Sequence, residues 1–206
     1  MKGKLITFEG AEGSGKSTQI KMALDYLRER HFSVVFVREP GGVKISEDIR
    51  RILLDVENKD MNDQCETLLY MASRAQLVAE VIKPALEKGK IVLCDRFLDS
   101  TIIYQGYGRG VDVKWIKLVG EFATQKIKPD LTILFDIDAK LGLSRINRAK
   151  DRIEERDLAY HNRVRRGYLK LARQETKRIK VVKVDRSKEE IHQAVRCYLD
   201  KLFQIH

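Results

Sequence analysis

Leu5-Ile6-Thr7-Phe8-Glu9-Gly10-Ala11-Glu12-Gly13-Ser14-Gly15-Lys16-Ser17-Thr18 decides the fold of this chain. Leu5 to Phe8 form a short, mostly apolar run, and Gly10 to Ser17 fit G-x-x-x-x-G-K-[ST] without a mismatch. From Thr18 to Arg30, Ile20, Ala23, Leu24 and Leu27 fall at helical spacing. A strand, a glycine loop and a helix in succession form the context in which this pattern binds nucleotide phosphates. The glycines let backbone N–H groups curl around phosphate oxygens, and the helix N-terminus aims its positive end at the anion. Gly10, Ala11, Glu12, Gly13, Ser14, Gly15, Lys16, Ser17 and Thr18 are therefore expected to bind ATP. Lys16 would reach the β/γ-phosphates, and the Ser17 hydroxyl would ligate Mg²⁺.

Working outward, apolar runs alternate with helix-period stretches. Ser33–Val37 reads as a buried, valine-rich strand, followed by a helix carrying Ile45, Ile49, Ile52 and Leu53. A longer helix is expected from about Gln64 to Lys83. Further strands fall at Ile91–Cys94, Leu131–Ile137 and Val181–Val184, and a last helix at Lys188–Phe203. Strands buried on both faces and separated by helices predict a three-layer α/β/α sandwich with a five-stranded parallel sheet. In such sheets ligands bind beyond the C-terminal strand ends. That rule selects Glu9 with the phosphate loop, Arg38-Glu39-Pro40-Gly41-Gly42, and Asp95-Arg96.

Asp95 ends an apolar strand, where a carboxylate holds Mg²⁺ directly or through water; a helix cap or a partner for Arg96 is the plainer alternative. Arg38 and Arg96 offer planar forks to phosphate oxygens, and a surface ion pair is the alternative for each. Asp136 and Asp138 read as turn and helix-start residues, not as a metal pair. Arg148, Arg152 and Arg156 recur every four residues and resemble one basic face of a helix or lid. A solvated face is the plain reading of such a run, but Ala11 to Ser14 carry no arginine, so this segment, with Arg152 as the best candidate, is expected to bring positive charge to the transferring phosphate.

A chain of 206 residues suits a single domain with, at most, a small mobile appendage, here a lid at about 144–160. The net charge of +10 suits polyanionic substrates, and with no basic stripe interleaved with aromatics no nucleic-acid partner is expected. No apolar run approaches the roughly 20 residues of a membrane span. Cys65, Cys94 and Cys197 show no paired spacing and read as reduced thiols in a cytoplasmic protein.

Taken in order, these motifs resemble the thymidylate kinase family over almost the whole chain. The resemblance rests on Phe8-Glu9-Gly10 with its loop, Arg38-Glu39-Pro40-Gly41-Gly42, and Leu68-Leu69-Tyr70-Met71-Ala72-Ser73-Arg74. It continues through Asp95-Arg96-Phe97, Ser100-Thr101, Tyr104-Gln105-Gly106 and Asp151-Arg152-Ile153-Glu154. It implies a P-loop nucleoside monophosphate kinase fold and transfer of the ATP γ-phosphate to dTMP, giving dTDP in dTTP synthesis. It further implies that Arg38, Pro40 and Arg96 surround the acceptor phosphate, and that Tyr70 stacks on thymine while Arg74 bonds a base carbonyl. Ser100, Thr101 and Gln105 would line the polar edge of the base, Tyr104 would crowd the sugar C2′, and Glu9 would lie near the 3′-OH and the metal. Without the resemblance, Tyr70 and Arg74 read as i, i+4 packing on a half-buried helix. Glu12 and Ser14 with Arg152 are similar to the bacterial members that carry their basic residues in the lid. Members usually have a phenylalanine before the V-R-x-G-Y stretch, whereas this chain runs Leu158-Ala159-Tyr160-His161 before Val164-Arg165-Arg166-Gly167-Tyr168. A homodimer through helices is also implied. Another nucleoside kinase on the same scaffold, or a nucleotide-dependent switch, are the competing readings.

Overall fold

The computed structural model describes residues 3–205. β1 (Lys4–Gly10) lies between β3 (Ile91–Asp95) and β4 (Leu131–Asp136), parallel to both. β2 (Val34–Arg38) pairs with β3, and β5 (Ile179–Lys183) pairs with β4, so the order is β2-β3-β1-β4-β5 with every pairing parallel. The three central strands are buried almost throughout, which is why they read as continuous apolar runs. β2 is less buried than its composition predicts. It is an edge strand with a neighbour on one side only, and Phe36 is 45% exposed.

Alternation along β1 separates the two faces. Ile6 and Phe8 join the core beneath α1 (Lys16–Glu29) and α9 (Lys188–Phe203), with Ile20, Leu27, Val195 and Leu199. A capping box at Ser187 and Glu190 starts α9. Leu5 points to the other face, against Leu77, Ile82 and Val92. That face is covered by α3 (Asp63–Leu77), α6 (Val113–Ala123) and α8 (Leu158–Gln174). The expected 64–83 helix is α3, a π-helical turn at Val78–Ile82, and α4 (Lys83–Glu87). Pro84 explains the wide turn, since its ring clashes with the carbonyl four residues back and it has no N–H to donate.

α2 (Lys44–Leu54) packs on α3, and a short α5 (Leu98–Thr101) runs into a second π-helical segment, Ile102–Gly108. α7 (Ala139–Ser144) is capped by Asp138, whose Oδ1 accepts from the N–H groups of Lys140 and Leu141. Arg165 holds both Asp136 and Asp138, so the structural reading of that pair is the one observed. Residues 145–157 form turns and contain no helix. The three cysteines are free, with Cys94 buried. Among the described residues no helix is long and apolar enough to cross a membrane.

Candidate active site

The C-terminal ends of β1, β2 and β3 open into one cavity of ≈ 440 Å³. It lies at the point where the strand order reverses beside β1, the position at which open parallel sheets bind ligands. The phosphate loop forms its floor. Gly13 has φ +65°, and a Cβ there would lie 1.9 Å from the Gly142 carbonyl oxygen, so only glycine allows the loop to pass α7. Lys16 is buried and folds back over the loop, donating to the carbonyls of Gly10 and Ala11 at 3.1 Å each and to Ser14 Oγ at 3.2 Å. Burial and the nearby Arg96 push its pKa down, against the carboxylates of Glu12, Asp95 and Glu9. An anion in the loop would add to these carboxylates in favouring the charged ammonium.

Asp95 ends β3 and reaches the same cavity as Ser17. Its Oδ1 is buried with no hydrogen-bond partner among the described residues. Such an orphaned carboxylate oxygen fits a bound cation. No group of three or more His, Cys, Asp or Glu side chains is gathered among the described residues. Mg²⁺ here would be shared with phosphate oxygens, as is usual for nucleotide sites.

Arg96 follows Asp95 at φ +68°, a conformation that non-glycine residues seldom adopt. Many acceptors hold it there: the Gly10 carbonyl at 3.1 Å, Ser100 Oγ at 3.2 Å, and both oxygens of Glu12 at 3.0 Å. Tyr104 donates to Glu12 Oε1 at 2.6 Å, and its ring lies 4.9 Å from the Arg96 guanidinium. Burial opposes a charge on Glu12, but Arg96, Lys16 and the Tyr104 hydroxyl overcome it and take the carboxyl down to about 2. Arg38 sits on the opposite wall, paired through Nη2 with both oxygens of Glu47 at 2.9 and 3.1 Å.

Comparison with known proteins fits this geometry. The profile of the family described as "Thymidylate kinase" matches residues 8–195. The thymidylate kinase of Symbiobacterium thermophilum is 46% identical over 198 residues, covering 96% of this chain and 92% of that one. That of Halothermothrix orenii is 48% identical over 200 residues and covers 95% of each. A crystal structure of thymidylate kinase from Ehrlichia chaffeensis superposes with a TM-score of 0.82 at 33% identity, over 97% of this chain and 100% of that one.

The chain belongs to the thymidylate kinase family. Its base-recognition candidates Tyr70, Arg74, Thr101, Tyr104 and Gln105 all line the same cavity. Arg74 is 1% exposed, so it is not the half-buried packing residue that helical spacing alone suggests. Its Nε donates to Glu39 Oε2 at 2.7 Å, Nη1 to Thr101 Oγ1 at 3.1 Å and Nη2 to the Phe97 carbonyl at 3.0 Å. That clamp fixes the plane of the guanidinium. Pro40 lines the cavity and its carbonyl accepts from Arg50 Nη1 at 2.8 Å.

Glu9 departs from its expected position near the sugar and metal. It is fully buried and does not line the cavity. Oε1 accepts from the Phe97 N–H at 2.8 Å, and Oε2 from Ser100 at 2.6 Å and Tyr168 at 2.7 Å. Three of its roughly four acceptor positions are taken within the protein, and it braces Ser100 and the start of α5. Burial and the charge of Asp99 raise it to about 7, against Arg96, Ser100 and Tyr168.

Arg152 departs further. It is 5% exposed and turned away from the phosphate loop, with Nη1 2.6 Å from Glu66 Oε2 and Nε donating to the Leu53 carbonyl at 2.9 Å. Glu66 is fully buried on α3, and a buried carboxylate requires cationic partners. Arg156 supplies a second one at 3.2 Å. The i, i+4 spacing of Arg148, Arg152 and Arg156 therefore does not mark one helical face, because these residues form turns. Arg148 is the one of the three that lines the cavity; its side chain is 63% exposed and is held by Glu154 at 2.8 Å. The departure at Leu158–His161 also has a structural counterpart. Tyr160 is 2% exposed and packs edge-on against Tyr104, so a tyrosine fills the core there.

Sequence reasoning gave no role to Arg50 or Glu66, none to Glu39 by itself, and did not single out Arg148 from its neighbours. Arg50 falls in no motif, and only its neighbours' helical period was visible. Glu39 lay inside a recognised motif, and its value as the partner of Arg74 needed the tertiary contact.

Proposed function

We propose that this chain phosphorylates dTMP to dTDP with ATP and Mg²⁺ in the cytoplasm. The observation that carries the reading is one cavity lined both by a phosphate loop and by a clamped arginine, a tyrosine, an amide and a hydroxyl. Gly10 to Thr18 hold the ATP phosphates. Lys16, released from the Gly10 and Ala11 carbonyls, follows the charge that develops on the transferring group. Ser17 and Asp95 would hold Mg²⁺, which would supply positive charge to the nucleotide phosphates. Arg96, with Arg38 and Arg50 opposite, takes the acceptor phosphate, and Ser100 steadies Arg96. Tyr70 covers the face of the base, Arg74 and Thr101 meet its polar edge, and Tyr104 crowds the sugar C2′ so that a 2′-OH clashes.

We assign the lid to residues 144–160 of a single domain, and the transition-state cation to Arg148. Arg145, Asn147 and Arg148 line the cavity beside the phosphate loop, which supports this choice. We also propose a homodimer. α2, α3 and α6 expose Ile45, Ile52, Leu68, Leu118 and Phe122, the last at 85%, and these helices pack side by side. A face of that kind suits burial against a second copy. Sedimentation equilibrium of the wild type and of Phe122→Lys tests it, with dissociation to monomer expected for the variant.

The activity is tested by a coupled ADP-release assay with each nucleoside monophosphate in turn. Turnover with dTMP well above that with dCMP, dAMP or dGMP is expected. ADP release that no monophosphate stimulates would refute the reading.

A further inference from the structure

Gln105 lies in the π-helical segment after α5, is 1% exposed and lines the cavity. Its Nε2 donates to Glu66 Oε1 at 2.8 Å. Glu66 does not line the cavity; it sits behind the wall, fully buried, with Arg152 at 2.6 Å and Arg156 at 3.2 Å on its other oxygen. Its oxygens face two guanidinium groups and the Gln105 amide, and such an acceptor admits only the NH₂ end of an amide. The amide is planar, so fixing Nε2 behind the wall leaves Oε1 as the end toward the ligand. Oε1 takes no donor among the described residues and is not sealed from solvent.

We propose that Glu66 is a positioning residue for base selection: it fixes the Gln105 amide so that a carbonyl oxygen, not an NH₂ group, faces the base. This rests on the reading that a pyrimidine monophosphate occupies the cavity. The edge of an imide base presents an N–H between two carbonyls. Arg74 donates to a carbonyl, and a fixed Gln105 Oε1 accepts from the adjacent ring N–H. A 4-aminopyrimidine presents the reverse pattern, with a ring nitrogen lone pair facing Oε1 and an amine facing Arg74, so both contacts become repulsive. A freely rotating glutamine would turn its NH₂ to that lone pair and lose half of the discrimination. The arginines at 152 and 156 thus serve specificity from behind the wall, through the carboxylate that they hold.

The test measures kcat/KM for dTMP and for dCMP with wild type, Glu66→Gln and Gln105→Met. Glu66→Gln removes the acceptor-only neighbour and frees the amide. The ratio of dTMP to dCMP efficiency is expected to fall on the order of tenfold, one hydrogen bond's worth, with KM for ATP unchanged. Gln105→Met leaves Glu66 with both arginines and removes the oriented carbonyl, so the same ratio should fall, with only the loss of Tm expected for one buried hydrogen bond. If Glu66→Gln folds and keeps the wild-type ratio, the proposal is wrong. If Glu66→Gln does not fold, an unchanged ratio in Gln105→Met overturns it equally. Wild-type protein inactive on dTMP would instead sink the underlying assignment of substrate, which separates the two failures.

Discussion

Replacing Arg152 with alanine distinguishes a catalytic arginine from a structural one. Its guanidinium is 2.6 Å from a fully buried carboxylate and also bonds the Leu53 carbonyl. Removing one partner of a buried ion pair costs about 3–5 kcal/mol, because the remaining charge is left without compensation. Arg156 stays at 3.2 Å from Glu66 and softens the loss, so the lower end, about 3 kcal/mol, is expected. A chain of 206 residues has an unfolding entropy of about 0.43 kcal/mol/K, so this corresponds to a drop in Tm of about 7 °C. Arg148→Ala should behave in the opposite way. Its side chain is 63% exposed, and its ion pair with Glu154 contributes at most about 1 kcal/mol. Its loss should leave Tm within about 2 °C and lower kcat on the order of 10²-fold or more, with KM for dTMP little changed. Calorimetry and steady-state kinetics on the two variants decide between these roles. If Arg152→Ala kept its Tm and lost kcat while Arg148→Ala kept both, the arginine of the Asp151-Arg152-Ile153-Glu154 segment would be the one at the phosphate. The structural assignment would then fail.

Three further outcomes are expected. Lys16→Ala should fold and lose on the order of 10²-fold or more in kcat, with a smaller change in KM for dTMP; near-normal kcat would remove Lys16 from the chemistry. Arg74→Ala should raise KM for dTMP and leave KM for ATP nearly unchanged, and it should also lower Tm, since Glu39 would be left buried without its partner. The third concerns pH. Glu9 moves from 4.5 to about 7 on folding, so across that window the folded state holds more protons and stability falls as pH rises, by up to about 3 kcal/mol. Glu12 moves from 4.5 to about 2, so its contribution is complete above 4.5 and is lost as pH falls toward 2. Urea unfolding of Glu9→Gln should show a flatter dependence between pH 4.5 and 7 than the wild type; identical slopes would contradict the environment described for Glu9.

The fold was legible because its signals are local. The strand before Gly10, the apolar runs at Ile91–Cys94 and Leu131–Ile137, and the helical period after Lys16 each reflect burial or geometry within a few residues. Where the reading slipped, the cause was non-local. Whether Val34–Arg38 is central or at an edge depends on which strands lie beside it, and composition does not encode that. The break at Val78 was available from Pro84, whose missing N–H and ring clash are local facts; the apolar period simply ran through it.

The site divides along the same line. Residues that act through backbone or by position at a strand end could be read directly, and Asp95 with its orphaned oxygen is where strand-end logic put it. Arginines could not be sorted in this way. Arg38, Arg74, Arg96, Arg148 and Arg152 differ little as sequence symbols, and their roles follow from which carboxylate each one meets. Glu66 takes Arg152, Glu39 takes Arg74, Glu47 takes Arg38 and Glu12 takes Arg96. A buried acid meets the cost of its own desolvation by capturing a guanidinium, and the capture fixes where that guanidinium sits. Arg38 and Arg96 are less deeply buried, with side chains 41% and 16% exposed, although Arg96 is tied to both oxygens of Glu12. Arg74 and Arg152, at 2% and 4%, have no such freedom: each is held in place by a buried acid, Arg74 by Glu39 and Arg152 by Glu66.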